Sequence, residues 1–508
     1  MKRFVLKILI PLFCFFPISA HAFNGISTQS IGLAGAVTSN PAGLMSIYHN
    51  PAGLSQSREG FVYHQSLNMK TLIRKNSFSP VPSFEILRLN SSQDPITNQQ
   101  SGSGNISMYY PFYGDAQGDM LLLPLPSGMT YRPPKSRWIM AIGSYMPFFQ
   151  GFQFSPDDPS QYQTQQYYQQ HIVYAAPTIA YQWNDSLSMG FSLGFGQTAW
   201  GHNYRLRILN EQFAQSAFLP KVPDVGPFDG LADMQFELRD DMALSFNLGF
   251  IWKPTQCLSF GLVYRSAVAT HPKGQMNIRF TDEFMALTQY FRDHPYFPRL
   301  ESSGLEKIYH QQSSNTVELE HFDWPDSLQA GAQFSLLDHM RIMFDIQWTR
   351  WSRQDSYKLV FHNKDNPLIL LLDALDQSTG KVITYPNQMK DTLSYHLGIE
   401  WQLKESFKFR NGISYHPQSV SDSHMNMMHL PEMVYLGAGF EWQWPNRWVI
   451  SQGLGYFVSK NKQIESSKML NSWNPDSSFF TPYSGQVVST KVSGVVFSFS
   501  VKVPLSIL

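Results

Sequence analysis

Between residues 187 and 196 every second side chain is apolar. Leu187, Met189, Phe191, Leu193 and Phe195 interleave with Ser188, Gly190, Ser192, Gly194 and Gly196. An extended strand here has one oily face and one small or polar face. The pattern recurs. Leu258, Phe260, Leu262 and Tyr264 alternate with Ser259, Gly261 and Arg265, and Ile342, Phe344, Ile346 and Trp348 with Asp345, Gln347 and Thr349. Val434, Leu436, Ala438, Phe440 and Trp442 alternate with Gly437, Gly439 and Glu441. Runs of about ten residues, rising ~3.3 Å each and tilted near ~45°, cover an apolar band of roughly 25 Å. Rings could also fill the core of a soluble β-sandwich, but here the polar faces are small and continuous along each run. The expected fold is all-β, a transmembrane antiparallel β-barrel of about 14 strands.

The connections support closure. Six short turn-rich segments, Pro133 to Ser136, Asn184-Asp185, Pro254 to Gln256, Leu337 to His339, Lys404-Glu405 and Pro445 to Arg447, alternate with long polar stretches. The long ones run from Phe149 to His171, Gly201 to Asp240, Ala267 to Phe322, Ser352 to Met389, Gln418 to Leu430 and Lys460 to Ser489. Tight turns at one end and long loops at the other are the signature of an outer-membrane barrel, and an even strand number leaves no open edge. No stretch after residue 22 holds the roughly 18 consecutive apolar residues of a membrane helix. The mean hydropathy of −0.25 is what alternating lipid-facing and lumen-facing residues produce. Trp252, Tyr264, Trp348, Trp351, Trp401, Tyr415, Trp442, Trp444, Trp448 and Tyr456 fall near strand ends and read as interfacial girdles.

The chain opens on Lys2-Arg3, an apolar stretch from Phe4 to Ile18 and the small-x-small triplet Ala20-His21-Ala22. That is the grammar of a cleavable secretory signal. Residues 1–22 are expected to leave, with Cys14, making Phe23 the first mature residue. Cys257 then has no intramolecular partner and reads as an inert apolar filler. Behind the signal the pentapeptide Asn-Pro-Ala-Gly-Leu occurs twice, at Asn40–Leu44 and Asn50–Leu54. Asn50 suits an Asx turn, Pro51 fixes φ and Gly53 admits positive φ. Residues 23–58 read as a turn-built hatch plugging a barrel of residues 59–508. Its candidate gating residues are Phe23, Gly32, Gly35, Asn40, Pro41, Asn50, Pro51, Ala52, Gly53 and Leu54. Two ordinary loop turns remain the plain alternative.

Gly32-Leu33-Ala34-Gly35-Ala36 followed by Tyr48-His49-Asn50-Pro51-Ala52-Gly53-Leu54 resembles the hatch of the FadL family of outer-membrane transporters for long-chain fatty acids and other hydrophobic compounds. Leu248 to Thr255, Gly261 to Ser266, Pro325 to Leu328 and Trp348 to Ser352 extend the likeness over nearly the whole mature length. The resemblance implies a plugged barrel, passive passage of apolar ligands and the hatch role for Asn50–Leu54. It also implies lateral release through a kink in the third strand, expected over Trp138 to Phe149. Gly143 and Pro147 are the kink candidates, because proline lacks a ladder N–H and glycine often marks a bulge. Relatives usually end on an aromatic residue, so with Leu508 the assembly signal is expected to be altered or displaced to Phe497 or Phe499.

The long segments 201–240 and 267–322 mix apolar residues with cations, as a groove would that buries an acyl tail at about 0.8 kcal/mol per methylene and orients a carboxylate. The candidate ligand-binding residues are Arg205, Arg207, Lys221, Arg279, Phe284, Met285 and Leu287; singly, each arginine reads as readily as a solvated side chain. Met285, Leu287 and Phe291 sit near helical spacing within 282–293, suggesting a short amphipathic helix. There is no His-Glu-x-x-His, no Gly-x-Ser-x-Gly and no phosphate-cradling glycine loop, so no catalytic residue, metal or cofactor is expected. With 38 basic and 38 acidic residues and no basic run, nucleic acid is not an expected partner. The expectation is a bacterial outer-membrane channel for long-chain fatty acids or similar molecules. A channel for aromatic hydrocarbons and a lipase-like barrel enzyme are the alternatives. Expected partners are the hydrophobic ligand, outer-membrane lipid and lipopolysaccharide, and the barrel-assembly machinery.

Overall fold

The computed structural model describes residues 26–82, 85–86, 89–110, 114–123, 126–207, 228–293, 309–354, 356–362, 382–386, 388–421, 425, 427–445, 447–465, 482–483 and 485–505. Residues 1–22, expected to be a secretory signal, and Phe23, Lys221, Leu508 and the side chains of Leu287 and Phe291 lie outside this description.

Fourteen antiparallel strands close into one barrel. They are β1 (Gly60–Lys70 and Ile73–Pro80), β2 (Leu121–Leu123 and Ser127–Arg132), β3 (Trp138–Gln153), β4 (Gln166–Ala175 and Thr178–Gln182) and β5 (Leu187–Arg207). Next come β6 (Gly230–Thr255), β7 (Leu258–Arg265 and Lys273–Phe280), β8 (Gln312–Glu320 and Ser327–Leu337), β9 (Met340–Thr349 and Ser356–Phe361) and β10 (Val382–Pro386 and Thr392–Lys404). The last are β11 (Phe407–His416), β12 (Met433–Gln443), β13 (Val449–Ser459 and Lys462–Glu465) and β14 (Gln486–Leu505). β14 pairs with β1 from Phe61↔Leu505 to Lys70↔Val496 and closes the ring. All six short connectors are hairpin turns at one rim.

The strands are longer than the apolar segments, because the alternation changes sense along them. In the lower part of β6, Leu244, Phe246, Leu248, Phe250 and Trp252 are exposed, while Asn247, Gly249 and Ile251 are buried. Higher up, Met234, Phe236 and Leu238 are buried, and Glu237 and Arg239 face water. The upper piece of β7 repeats this, with Met276, Ile278 and Phe280 inward and Lys273, Gln275, Asn277 and Arg279 outward. Above the lipid the outer face must be wet, so oil moves inside. The stretches read as loops in 201–240 and 267–322 are therefore largely strand where they are described.

The exposed lower belt includes Phe191, Phe195, Phe260, Leu262, Phe344, Leu397, Leu436 and Leu454, with Trp138, Trp183, Trp252, Trp442, Trp444 and Trp448 toward the hairpin rim. Two readings need correction. Trp351 is no girdle residue; it is buried and faces the bore, in a 3-10 turn after the first piece of β9. Cys257 is no apolar filler, since it is exposed in the tight β6–β7 turn.

Candidate functional site in the bore

Residues 26–58 make a small body of turns: α1 (Thr28–Gly32), a 3-10 turn at Gly43–Met45, α2 (Ser46–His49) and a 3-10 turn at Pro51–Gln56. Ser27 caps α1 through a reciprocal exchange with Ser30. The body touches opposite sides of the ring. α1 packs on β11 to β14, while the Pro51–Gln56 turn packs on β3 to β6. Ile31, Leu33, Ala34, Ala36, Ile47, Ala52 and Leu54 are fully buried.

The wall is built to receive this body at van der Waals contact. Added Cβ atoms at Gly190 and Gly249 would collide with Pro51 or Asn50, one at Gly261 with Thr38, one at Gly412 with Leu33 and one at Gly437 with Ile31. Several of these glycines are cross-strand neighbours, Gly190↔Gly249 and Gly412↔Gly437 among them. The small residues of the alternating pattern thus form a track for backbone.

Polar side chains of the wall fasten the same body. Asp345 Oδ2 accepts from the N–H groups of Val37 (3.0 Å) and Thr38 (2.8 Å). Asn247 Nδ2 donates to the Ile47 carbonyl (2.9 Å), Ser259 Oγ to that of Ser39 (2.9 Å) and Arg132 Nη1 to that of Ser55 (2.8 Å). Arg265 reaches two carbonyls, Tyr48 through Nε and His49 through Nη2, both at 3.1 Å. From the body, Asn50 Nδ2 donates to Thr38 (2.8 Å) and to Phe250 of the wall (3.0 Å), and its Oδ1 accepts from Ala52 N (3.2 Å). Burial first, and the Arg265 charge second, lower His49 to about 3, so this histidine is neutral.

Gly53, expected at positive φ, does not adopt it; Gly43 does, at +70°. Gly53 is required for space, because a Cβ there would strike Pro41. Gly32 lies against Arg410 and Gly439, and Gly35 (φ +89°) lines a cavity. Gly143 also abuts the body, at Leu44 and Ile47, and pairs regularly with Gly128. The irregularity in β3 lies between Tyr145 and Phe148, a span that includes Pro147. The β2–β3 ladder ends at Ser144↔Ser127. Among the described residues β3 has no β2 partner from Tyr145 onward.

A cavity of about 130 Å³ lies beside this break. Tyr48, His49, Tyr145, Asn247, Arg265 and Gln329 line its polar side, and Pro147, Phe148, Val268, Pro325 and Trp351 its apolar side. A large buried cluster continues upward through Phe149, Phe152, Trp200, Phe236, Phe280 and Trp324. Lys70 and Arg74 project into it, Lys70 Nζ 5.2 Å from the Phe149 ring centre and the Arg74 guanidinium 5.4 Å from that of Phe152. Toward the hairpin rim the bore is ionic. Arg410 bridges Glu400 (2.8 Å) and Glu441 (3.2 Å), and Lys502 lies 3.5 Å from Glu441.

Of the residues expected to bind ligand, those described are not brought together into one site. Arg205 is half-exposed and paired with Asp233 at 2.7 Å, and Arg279 points outward. Arg207 is buried, but Asp94 engages it on both terminal nitrogens (3.0 and 2.7 Å). Phe284 is buried in the cluster and stacks on Phe280, and Met285 packs beside it, both from helix α3 (Asp282–Asp293). Sequence reasoning missed Arg265, Asp345, Asn247, Lys70 and Arg74. Their signal was charge or amide on the inward face of a membrane strand.

A closed barrel with an apolar outer belt and a filled bore is a transmembrane protein of the outer-membrane type. The profile of the family described as Outer membrane protein transport protein (OMPP1/FadL/TodX) matches residues 17–504, and the chain belongs to that family of outer-membrane transport proteins. A crystal structure of a Pseudomonas aeruginosa FadL homologue is similar over 97% of this chain and 100% of its own, with TM-score 0.67 and 15% identity. The Pseudomonas putida toluene transporter TodX is similar over 96% and 100%, with TM-score 0.63 and 13% identity. The CymD monoaromatic hydrocarbon channel is similar over 96% and 100%, with TM-score 0.57 and 18% identity. In sequence, a Neisseria meningitidis serogroup B protein named for the outer membrane, NMB0088, is 22% identical over 239 residues, 47% of this chain and 43% of that protein.

Proposed function

We propose that the protein is a passive uptake channel for long-chain fatty acids or molecules of similar apolarity, with residues 23–58 as its hatch. The observation that carries this reading is the buried aromatic and aliphatic lining that runs from the outer end of the bore down to the Tyr48-His49-Asn50 corner. Each methylene laid on such a surface gains about 0.8 kcal/mol. The route then turns sideways. Below the hatch the Glu400–Arg410–Glu441 network is hostile to an alkyl chain, whereas among the described residues the β2–β3 ladder does not extend past Ser144 toward Pro147. Capture falls to the inward apolar residues of the extracellular strand ends and to Phe284 and Met285, not to the outward arginines.

The abundance of rings in the lining, with Phe148 stacked on Trp324 at 4.7 Å, favours a second reading as a channel for aromatic hydrocarbons. In neither reading does the protein perform covalent chemistry. Outer-membrane lipid and lipopolysaccharide surround the barrel, and the assembly machinery is met during biogenesis through β14, whose Phe497 and Phe499 are half-exposed. A strain lacking the protein should take up labelled oleate more slowly while toluene uptake is unchanged; the reverse result selects the second reading. Removing Pro147 to lengthen the ladder should slow oleate uptake at normal barrel levels. Unchanged uptake would eliminate the lateral route.

A further inference from the structure

From Gln166 to Val173 every residue of β4 is buried, although only alternate side chains of a strand can face the bore. Tyr167, His171 and Val173 take the inner side, against the aromatic cluster, the cavity and the hatch. Gln166, Tyr168 and Gln170 therefore lie on the outer face. What covers that face is a hairpin from the β1–β2 connection, whose described strands are Ile106–Tyr110 and Gly114–Gly118.

The first of these strands runs down the outside of the wall, antiparallel to β3. Asn105 bridges Gln153, the Ser107 carbonyl leaves no room for a Cβ on Gly151, and the Tyr109 backbone meets the side chain of Gln170, the partner of Phe149. Two residues of hairpin thus descend two rungs of β3. Tyr110 comes next, toward Phe148, where β3 shifts register and has no described β2 partner. Tyr110 and Phe148 pack on the same cluster, and Pro147 is buried despite that missing partner.

The hairpin is held differently at its two ends. At the root, Ile106, Ser107 and Met108 are at most 1% exposed, and Gln166 Nε2 donates to Ser107 Oγ (2.6 Å). Past Met108 the grip is polar. Gln170 Oε1 accepts from Tyr109 N (3.0 Å) and its Nε2 donates to the Tyr109 carbonyl (2.6 Å). Arg239 donates to the Tyr109 hydroxyl and places its guanidinium 4.9 Å from the ring centre. The return strand begins and ends on Gly114 and Gly118, and Asp115 and Gln117 face water. Such an end can lift while its root stays packed.

We propose that this hairpin is a lid on the outside of the lateral break, hinged after Met108 and latched by Gln170. Closed, it keeps water and the surrounding lipid chains from the apolar gap beside Pro147. An alkyl chain leaving the bore sideways lifts it by breaking the two amide bonds to Tyr109, so Gln170 is a positioning residue for release. This rests on the lateral-release reading and adds a moving part to it.

The test pairs Tyr109→Cys with Gln170→Cys in a Cys257→Ser background, expressed in a strain lacking the protein, after heat-modifiable mobility has verified folding. A short bis-methanethiosulfonate ties the two thiols and reductant frees them, so each preparation is its own control. Tied, the barrel should lose most of the labelled-oleate uptake it shows over the deletion strain, and reductant should restore it. In the purified barrel, Gln170→Ala should speed amide exchange across residues 114–118 by about tenfold, because two bonds are lost. Thiols that fail to cross-link in the folded barrel overturn the docked position, and unchanged exchange overturns the latch. Full uptake with the hairpin tied, where removing Pro147 does slow uptake, overturns the lid and leaves lateral release standing. If neither change slows uptake, lateral release falls and the lid with it. Wild type no faster than the deletion strain sinks the uptake reading itself, a distinct result.

Discussion

Residues 40–44 and 50–54 have the same sequence, lie ten positions apart in one small body, and are held in different ways. Asn50 is buried, its side chain tied to Thr38, Phe250 and Ala52, and Pro51 starts a 3-10 turn. Asn40 is half-buried, and its side chain makes no hydrogen bond among the described residues. In the first copy the backbone turns at Gly43 through positive φ, whereas in the second Gly53 keeps an ordinary φ and lies against Pro41 of the first. One pentapeptide thus serves as the seat for the other. Identical local chemistry permits both conformations, and the wall at Gly190, Gly249 and Phe250 decides which copy is clamped.

The sharpest way to break the comparison is Asn50→Ala. It strips two buried carbonyls of a donor and removes the cap on Ala52, which should cost about 2–4 kcal/mol of local stability. Amide exchange across residues 26–58 of the purified barrel should accelerate accordingly, with the strands little affected. A change below roughly 0.5 kcal/mol would falsify the clamp.

How much of this could be read from the chain depends on which partner a residue has. Period-2 alternation and tight turns are local, so strands and closure were legible from Leu187 to Phe195 and from connectors such as Asn184-Asp185. The reversal of the alternation above the lipid was not, since Met276 and Arg279 alternate equally well with either one inward. Arg279 was consequently placed in a ligand groove it turns away from. Inward glycines read as merely small, because what presses on Gly249 is Asn50 and Pro51, distant in sequence. Arg265 and Asp345 were visible as charges on membrane strands, but their contacts with Tyr48, His49, Val37 and Thr38 are long-range.

Next in size, Gly53→Ala pits a new methyl group against the Pro41 ring and should cost about 1–3 kcal/mol through overpacking. Gly43→Ala carries a different penalty. Its Cβ would meet the ends of the His64 and Lys502 side chains at 3.1 Å, atoms that can yield, so the remaining cost is the left-handed backbone, about 1 kcal/mol. Gly43→Asn, which tolerates that region, should recover part of the loss, whereas Gly53→Asn should be worse than Gly53→Ala. Thermal midpoints of the four variants in one detergent give the ranking, and equal responses at the two glycines would show that one mechanism governs both.

The smallest effect belongs to Asn40→Ala. The backbone N–H of Asn40 donates to the Val37 carbonyl (3.1 Å), and its carbonyl accepts from Gln29 Nε2 (3.0 Å), so truncating the side chain leaves both bonds in place. The cost should stay under about 0.5 kcal/mol. Gln29 is the better target in this copy, because its amide also accepts from Ala42 N at 2.8 Å and so spans the first pentapeptide from outside. Gln29→Ala should therefore exceed Asn40→Ala by about 1 kcal/mol in the same exchange measurement. If instead Asn40→Ala opens the body as readily as Asn50→Ala, the two copies are energetically equivalent and the clamp cannot reside in the second alone.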